Sequence, residues 1–145
     1  MSVDAAWFDY DNDALLDLVV VHYTYWDPYT DKPCLMGDGT EYYCNPRTVV
    51  SVPNSLYRNL GGGRFVDVSR QAGFTSALGK GMGIGIADFN GDGRLDVAAS
   101  SWRKGNQFAW FEQSRDGWTQ RIVEEAMSET RTMRVAGFNG NGLPD

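Results

Sequence analysis

One pattern governs what this chain can fold into. A short apolar stretch, a nine-residue acidic loop and a second apolar stretch recur along it. The first copy runs Ala5-Ala6-Trp7-Phe8, then Asp9-Tyr10-Asp11-Asn12-Asp13-Ala14-Leu15-Leu16-Asp17, then Leu18-Val19-Val20-Val21. The second runs Ile84-Gly85-Ile86-Ala87, then Asp88-Phe89-Asn90-Gly91-Asp92-Gly93-Arg94-Leu95-Asp96, then Val97-Ala98-Ala99. A third loop, Gly137-Phe138-Asn139-Gly140-Asn141-Gly142-Leu143-Pro144-Asp145, follows Met133-Arg134-Val135-Ala136. Self-similarity of this kind marks a repeat architecture. The copies begin 79 residues apart at Asp9 and Asp88, and 49 apart at Asp88 and Gly137. The longer first interval places an insertion at about 27–53.

Further strands are expected between the loops. Ser55-Leu56-Tyr57-Arg58-Asn59 leads through Gly61-Gly62-Gly63 into Arg64-Phe65-Val66-Asp67-Val68, a hairpin with a glycine turn. Gln107-Phe108-Ala109-Trp110-Phe111 leads through Arg115-Asp116-Gly117 into Trp118-Thr119-Gln120-Arg121-Ile122-Val123 in the same manner. Four short strands per repeat is the make-up of a propeller blade. The expected fold is all-β, a single partial propeller over residues 1–145. Blade 1 spans about 2–73 with the insertion at 27–53, blade 2 about 81–126, and a third blade starts at 131–145. No segment carries a helical period, although 69–73 and 124–129 each suit one helical turn.

Composition narrows the function classes. Aromatic residues make up 13% of the chain and glycine 17 of its 145 residues, which suits strands joined by tight turns rather than disorder. A net charge of −6 argues against a nucleic-acid partner, which requires a basic face. No apolar run reaches the roughly 18 residues of a membrane span. Met1-Ser2-Val3-Asp4 has neither a basic nor an apolar leader region, so no signal peptide is expected on this chain. The ten-residue separation of Cys34 and Cys44 allows a small disulfide loop, which implies an exported ancestor. The alternative is two unpaired thiols in a surface loop. Two thiols and one distant histidine fall short of a zinc site.

The acidic loops read as calcium sites. Their spacing, D-x-[DN]-x-D-G-x-x-D, offers oxygens at positions 1, 3, 5 and 9 with a backbone carbonyl at 7. Calcium takes six to eight such oxygens, and a glycine at position 6 permits the sharp bend around the ion. The expected ligands are Asp9, Asp11, Asp13, the Leu15 carbonyl and Asp17 in the first loop. In the second they are Asp88, Asn90, Asp92, the Arg94 carbonyl and Asp96. Two calcium ions per chain are expected. Two carboxylates ~4–5 Å apart repel by roughly 3–4 kcal/mol at an effective dielectric of 20, so four converge only when a cation or protons neutralise them. The alternative is an Asx-rich turn that caps strands. Ala14 stands where the bend glycine belongs, at a cost on the order of 1 kcal/mol if it takes positive φ. In the third loop Gly137 replaces the first Asp and Asn141 the third. Asn139, Asn141 and Asp145 are therefore expected to bind weakly or not at all.

These residues carry a resemblance. The three loops, each after an apolar strand, resemble the FG-GAP (VCBS) repeats of integrin-type propellers. The stretch from Leu56-Tyr57-Arg58-Asn59 through Gly79-Lys80-Gly81-Met82-Gly83 to Asp88 is similar to the bacterial branch termed ASPIC/UnbV, as is the Cys34…Tyr43-Cys44-Asn45-Pro46 insertion. The resemblance implies an extracellular or periplasmic ancestry, calcium in each blade, and service in adhesion or carbohydrate binding. Such propellers usually have seven blades. A segment of about two blades would expose strand edges and apolar faces. A homo-oligomer that completes a ring is the expected partner, a trimer ahead of a dimer or tetramer.

Two function classes follow. The first is a calcium-stabilised binding module for carbohydrate or protein. Tyr23, Tyr25, Trp26, Tyr42, Tyr43 and Trp102 could stack on sugars or could simply pack. The second is a divalent-metal-dependent hydrolase of phosphoester or phosphotriester type, using a loop metal site or a cleft between subunits. Its general base would be a nearby carboxylate or His22, the single histidine, which otherwise reads as a structural strand-end residue. Gly81-Met82-Gly83-Ile84-Gly85 precedes no helix, so close approach of an inner strand explains it better than a phosphate cradle.

Overall fold

The computed structural model describes residues 1–45, 48–75, 80–101, 108–124 and 135–137. Alternation of apolar and polar side chains sets its strands. In β2 (Asp17–His22) the residues Asp17, Val19 and Val21 are buried, while Leu18, Val20 and His22 are half-buried. In β9 (Phe108–Ser114) Ala109, Phe111 and Gln113 are the buried set. A period of two is what a pleated strand with one face in a core requires.

The first four-stranded sheet has the order β1 (Ser2–Phe8), β2, β5 (Ser55–Asn59), β6 (Phe65–Asp67). The second has the order β10 (Gly117–Glu124), β9, β8 (Asp96–Ser101), β7 (Gly81–Ala87). Neighbouring strands are antiparallel throughout, so each sheet is an up-and-down meander. In β1–β2 the register pairs Phe8 with Asp17, and in β7–β8 it pairs Ala87 with Asp96. The acidic loops are thus the connections between the first two strands of each sheet. These are the four-stranded β-propeller blades that the repeat predicts, and no helix lies among the described residues.

Within the insertion, β3 (Cys34–Leu35) and β4 (Glu41–Tyr42) form a small hairpin that the sequence pattern does not predict. Cys34 and Cys44 are joined by a disulfide with a Cα–Cα distance of 5.1 Å. The stretch 69–75 is a run of turns, with Ala72 N–H to the Val68 carbonyl at 3.0 Å closing a single helical turn and Phe74 N–H to the Ser69 carbonyl at 2.9 Å closing a wider one. The expected turn at 124–129 and third blade at 131–145 lie almost wholly outside the described residues.

The core lies between the two sheets. Phe8, Val19 and Leu56 from the first meet Val97 and Phe111 from the second, with Ala72 and Phe74 supplied by the turn at 69–75. Phe74 stacks on Phe111 with ring centroids 4.7 Å apart, and Trp118 meets Phe74, Phe8 and Tyr10. At the seam of β1 and β7, Asp4 Oδ2 accepts the Ile84 N–H at 3.2 Å. Gly81, Gly83 and Gly85 are the buried face of β7. A Cβ on Gly81 would overlap Val21 Cγ1 and stand 3.1 Å from the His22 carbonyl oxygen, so the glycine is there for close approach of strands.

Candidate metal centre

The two acidic loops are built on the same frame of hydrogen bonds. In the first, the backbone N–H groups of Asp13 and Ala14 donate to Asp9 Oδ1 and Oδ2 at 3.1 and 2.9 Å, and Leu15 N–H donates to Asp13 Oδ1 at 2.9 Å. In the second, Asp92 and Gly93 donate to Asp88 Oδ1 and Oδ2 at 3.1 and 2.8 Å, and Arg94 N–H donates to Asp92 Oδ1 at 2.9 Å. The sharp bends also match. Asn12 and Gly91 have φ of 60° and 77°, and Ala14 and Gly93 have φ of 67° and 85°. Ala14 therefore holds the left-handed conformation that its sequence position demands, at the steric cost an L side chain incurs there.

The last aspartate of each loop ties it to the third strand of its blade. Asp17 is fully buried; its Oδ2 accepts Tyr10 N–H and its Oδ1 accepts Asn59 N–H, both at 2.7 Å. Asp96 is equally buried, with Oδ2 accepting Phe89 N–H at 3.0 Å and Oδ1 accepting Gln113 N–H at 2.8 Å. Burial leaves the Asp96 carboxyl above its ordinary range even though those two amides oppose the rise. At Asp88 burial also pushes upward, but the amides of Gly93, Gly91, Asp92 and Asn90 outweigh it and hold the group below its ordinary range.

Ligand oxygens of Asp9, Asp11 and Asp17 lie within 4.8 Å of one another, the one such carboxylate cluster among the described residues. Asp11 Oδ1 is buried with no hydrogen-bond partner, an oxygen for which a hard cation is the natural match. Burial, with Asp13, Asp17 and Asp9 adding to it, raises the Asp11 carboxyl, and Arg58 opposes the rise. The donor set of the first loop thus fits calcium. Asp13 stands apart from the cluster, 3.5 Å from Arg58 Nη2. In the second loop Asp88, Asp92 and Asp96 do not converge as tightly, and Asn90 Nδ2 donates to Glu112 Oε1 at 3.0 Å. Asn139, Asn141 and Asp145 lie outside the described residues.

Sequence reading missed the third-strand residues that face the loops. Arg58 Nε lies 2.6 Å from Asp11 Oδ2, yet it lies outside hydrogen-bond angles, so charge rather than a directed bond holds the pair. Glu112 Oε2 takes Arg121 Nε at 2.6 Å. Aligning the two hairpins on Asn59 and Gln113 would have put Arg58 and Glu112 at the same place.

Residues 35–99 match the family model of the FG-GAP-like repeat. That segment, somewhat less than half of the chain, is similar to an FG-GAP-like repeat. The chain is 34% identical over 70 residues to cartilage acidic protein 1 of Mus musculus and to that of Homo sapiens, 48% of this chain and 10% of each relative. To the Xenopus tropicalis protein of the same name it is 40% identical over 50 residues, 34% of this chain and 8% of the relative. The chain thus spans about a tenth of the length of these relatives. An FG-GAP repeat on propeller blades points to an interaction module.

The other expected groups are dispersed. His22 sits at the far end of β2 from the first loop, five residue steps or about 16 Å along the strand. Its Nδ1 lies 2.9 Å from Ser2 Oγ and its Nε2 lies 3.0 Å from Ser55 Oγ, and among the described residues no carboxylate hydrogen-bonds the ring. Burial, with the N-terminal charge adding to it, lowers its pKa. Tyr42 and Tyr43 line a cavity of about 580 Å³ beside the disulfide. Tyr23, Tyr25 and Trp26 are absent from its described lining, and Trp102 lies outside the described residues.

Proposed function

We propose that the chain is a pair of calcium-stiffened propeller blades acting as a binding module for carbohydrate or protein. The observation that carries this reading is the convergence of Asp9, Asp11 and Asp17 around an unpartnered buried oxygen, in a loop whose frame is repeated in the next blade. Asp9, Asp11, Asp13 and Asp17 with the Leu15 carbonyl would hold one ion. Asp88, Asn90, Asp92 and Asp96 with the Arg94 carbonyl would hold the other. A bound ion supplies positive charge that cancels carboxylate repulsion, and so fixes the loop and the two strands it joins. The Cys34–Cys44 disulfide supports an exported protein, extracellular or periplasmic.

The outer face of the first blade supports a further blade-like neighbour. Trp7 and Phe65 meet there with ring centroids 6.0 Å apart and remain 56% and 43% exposed. An apolar sheet face of that kind suits another blade, from the same chain or from a second copy in a homo-oligomer such as a trimer. The mass in solution distinguishes the two.

Calcium calorimetry tests the main reading. Two ions per chain are expected, falling to one in Asp9→Asn/Asp11→Asn and in Asp88→Asn/Asp92→Asn. Absence of calcium binding contradicts it. The hydrolase alternative is tested by phosphotriester turnover with calcium, manganese or zinc. The placement of His22 at the end of β2, remote from the first loop, would leave a carboxylate rather than His22 as the base at that metal.

A further inference from the structure

The two blades place opposite charges at one equivalent position. Asn59 and Gln113 play the same part, each donating its backbone N–H to the last aspartate of its loop. The residue before each faces the third position of that loop. In the first blade this is Arg58 against Asp11, with Asp13 at 3.5 Å. In the second it is Glu112 against Asn90. The first loop, which has four carboxylates, receives a cation from its third strand. The second, which has three, receives an anion.

We propose that Arg58 is the built-in counter-cation of the first loop, holding its carboxylates together in the absence of metal and competing with calcium for them. The proposal rests on the calcium reading above. Arg58 touches Asp11, one of the three clustered carboxylates, and it is the described cation that reaches the loop. Its contact with Asp11 Oδ2 is short but poorly directed, whereas Arg–carboxylate pairs that lock a structure are commonly two-pronged and aligned. The Arg58 side chain is 40% exposed, so its head can move into solvent while its stem stays on the sheet. A calcium ion entering among Asp9, Asp11 and Asp17 would meet like charge from the guanidinium, and binding would displace it. Arg58 thus sets the affinity of the first loop, and loop order without metal, without being a ligand.

The test uses the chain carrying Asp88→Asn/Asp92→Asn, so that calorimetry reads the first loop alone. Adding Arg58→Gln should tighten calcium binding roughly tenfold, since a nearby positive charge is lost. It should also lower the melting temperature in chelator and enlarge the rise on adding calcium. Arg58→Lys keeps the charge and should leave the affinity close to that of the parent. In the unaltered chain, calcium should expose the Arg58 Nε–H resonance to faster solvent exchange, a readout that does not depend on any variant folding. Equal or weaker calcium binding in Arg58→Gln, or an Arg58 resonance unmoved while calcium binds, overturns the proposal and leaves the calcium reading standing. No calcium binding in any of these proteins overturns both.

Discussion

Asp17 Oδ1 accepts the backbone N–H of Asn59 at 2.7 Å, across 42 residues of sequence. That bond fastens the first acidic loop to the third strand of its blade. The insertion departs from the sheet between those two points, so the blade closes around it. Asp96 and Gln113 repeat the arrangement at 2.8 Å without an insertion between them. The loop is therefore part of the blade and not an appendage, and ordering it orders the sheet.

Asp17→Ala should be among the most damaging single changes in the first blade. It strips two backbone donors, Tyr10 and Asn59, of their shared acceptor inside the fold. Each unsatisfied buried group costs about 1–3 kcal/mol, so a loss of roughly 2–6 kcal/mol is expected. Urea unfolding measures it. A loss below about 1 kcal/mol would mean that the clasp is dispensable.

Ala14→Gly should stabilise the protein. Ala14 holds φ of 67° where the second loop has Gly93 at 85°. Relief of the left-handed strain is on the order of 1 kcal/mol, offset in part by the greater freedom of glycine in the unfolded chain. Gly93→Ala should do the reverse. Paired melts of the two variants check the sign.

Gly81→Ala should destabilise by about 1–3 kcal/mol, because the added methyl overlaps Val21 Cγ1 at the seam between blades. Reducing the neighbour in Gly81→Ala/Val21→Ala should recover part of the loss. No recovery in the double variant would place the strain elsewhere.

His22 gives the acid limb of stability a specific component. Its folded pKa lies below the ordinary 6.5, chiefly through burial. Between those two values the unfolded chain binds more protons than the folded one. The contribution is therefore full above 6.5 and is lost as pH falls through the folded value. His22→Gln should flatten that part of the pH profile of unfolding free energy relative to the parent. An unchanged slope would contradict the assignment.

The strands and the loops were legible because their signals are local. A period of two over five to seven residues and a nine-residue acidic spacing need no knowledge of what lies across the sheet. Arg58 and Glu112 were not legible in that way. Their roles depend on the register that sets β5 against β2 and β9 against β8, which neighbouring residues do not encode. The strand-end position of His22 was legible from the apolar run before it, but its hydroxyl partners Ser2 and Ser55 depend on the register of β1 and β5 against β2. The β3–β4 hairpin did have a local signal, Gly37-Asp38-Gly39, where Thr40 N–H now donates to Asp38 Oδ1 at 2.9 Å.

Thermal melting of the unaltered chain, first after exhaustive chelation and then with calcium restored, is the most direct test. Carboxylates gathered as Asp9, Asp11 and Asp17 are should lose their neutralising ion on chelation, and the transition should fall by several degrees and recover with calcium, each 1 kcal/mol moving it roughly 2–8 °C. The same melting temperature in both conditions, with no calcium retained by the protein, would contradict the account.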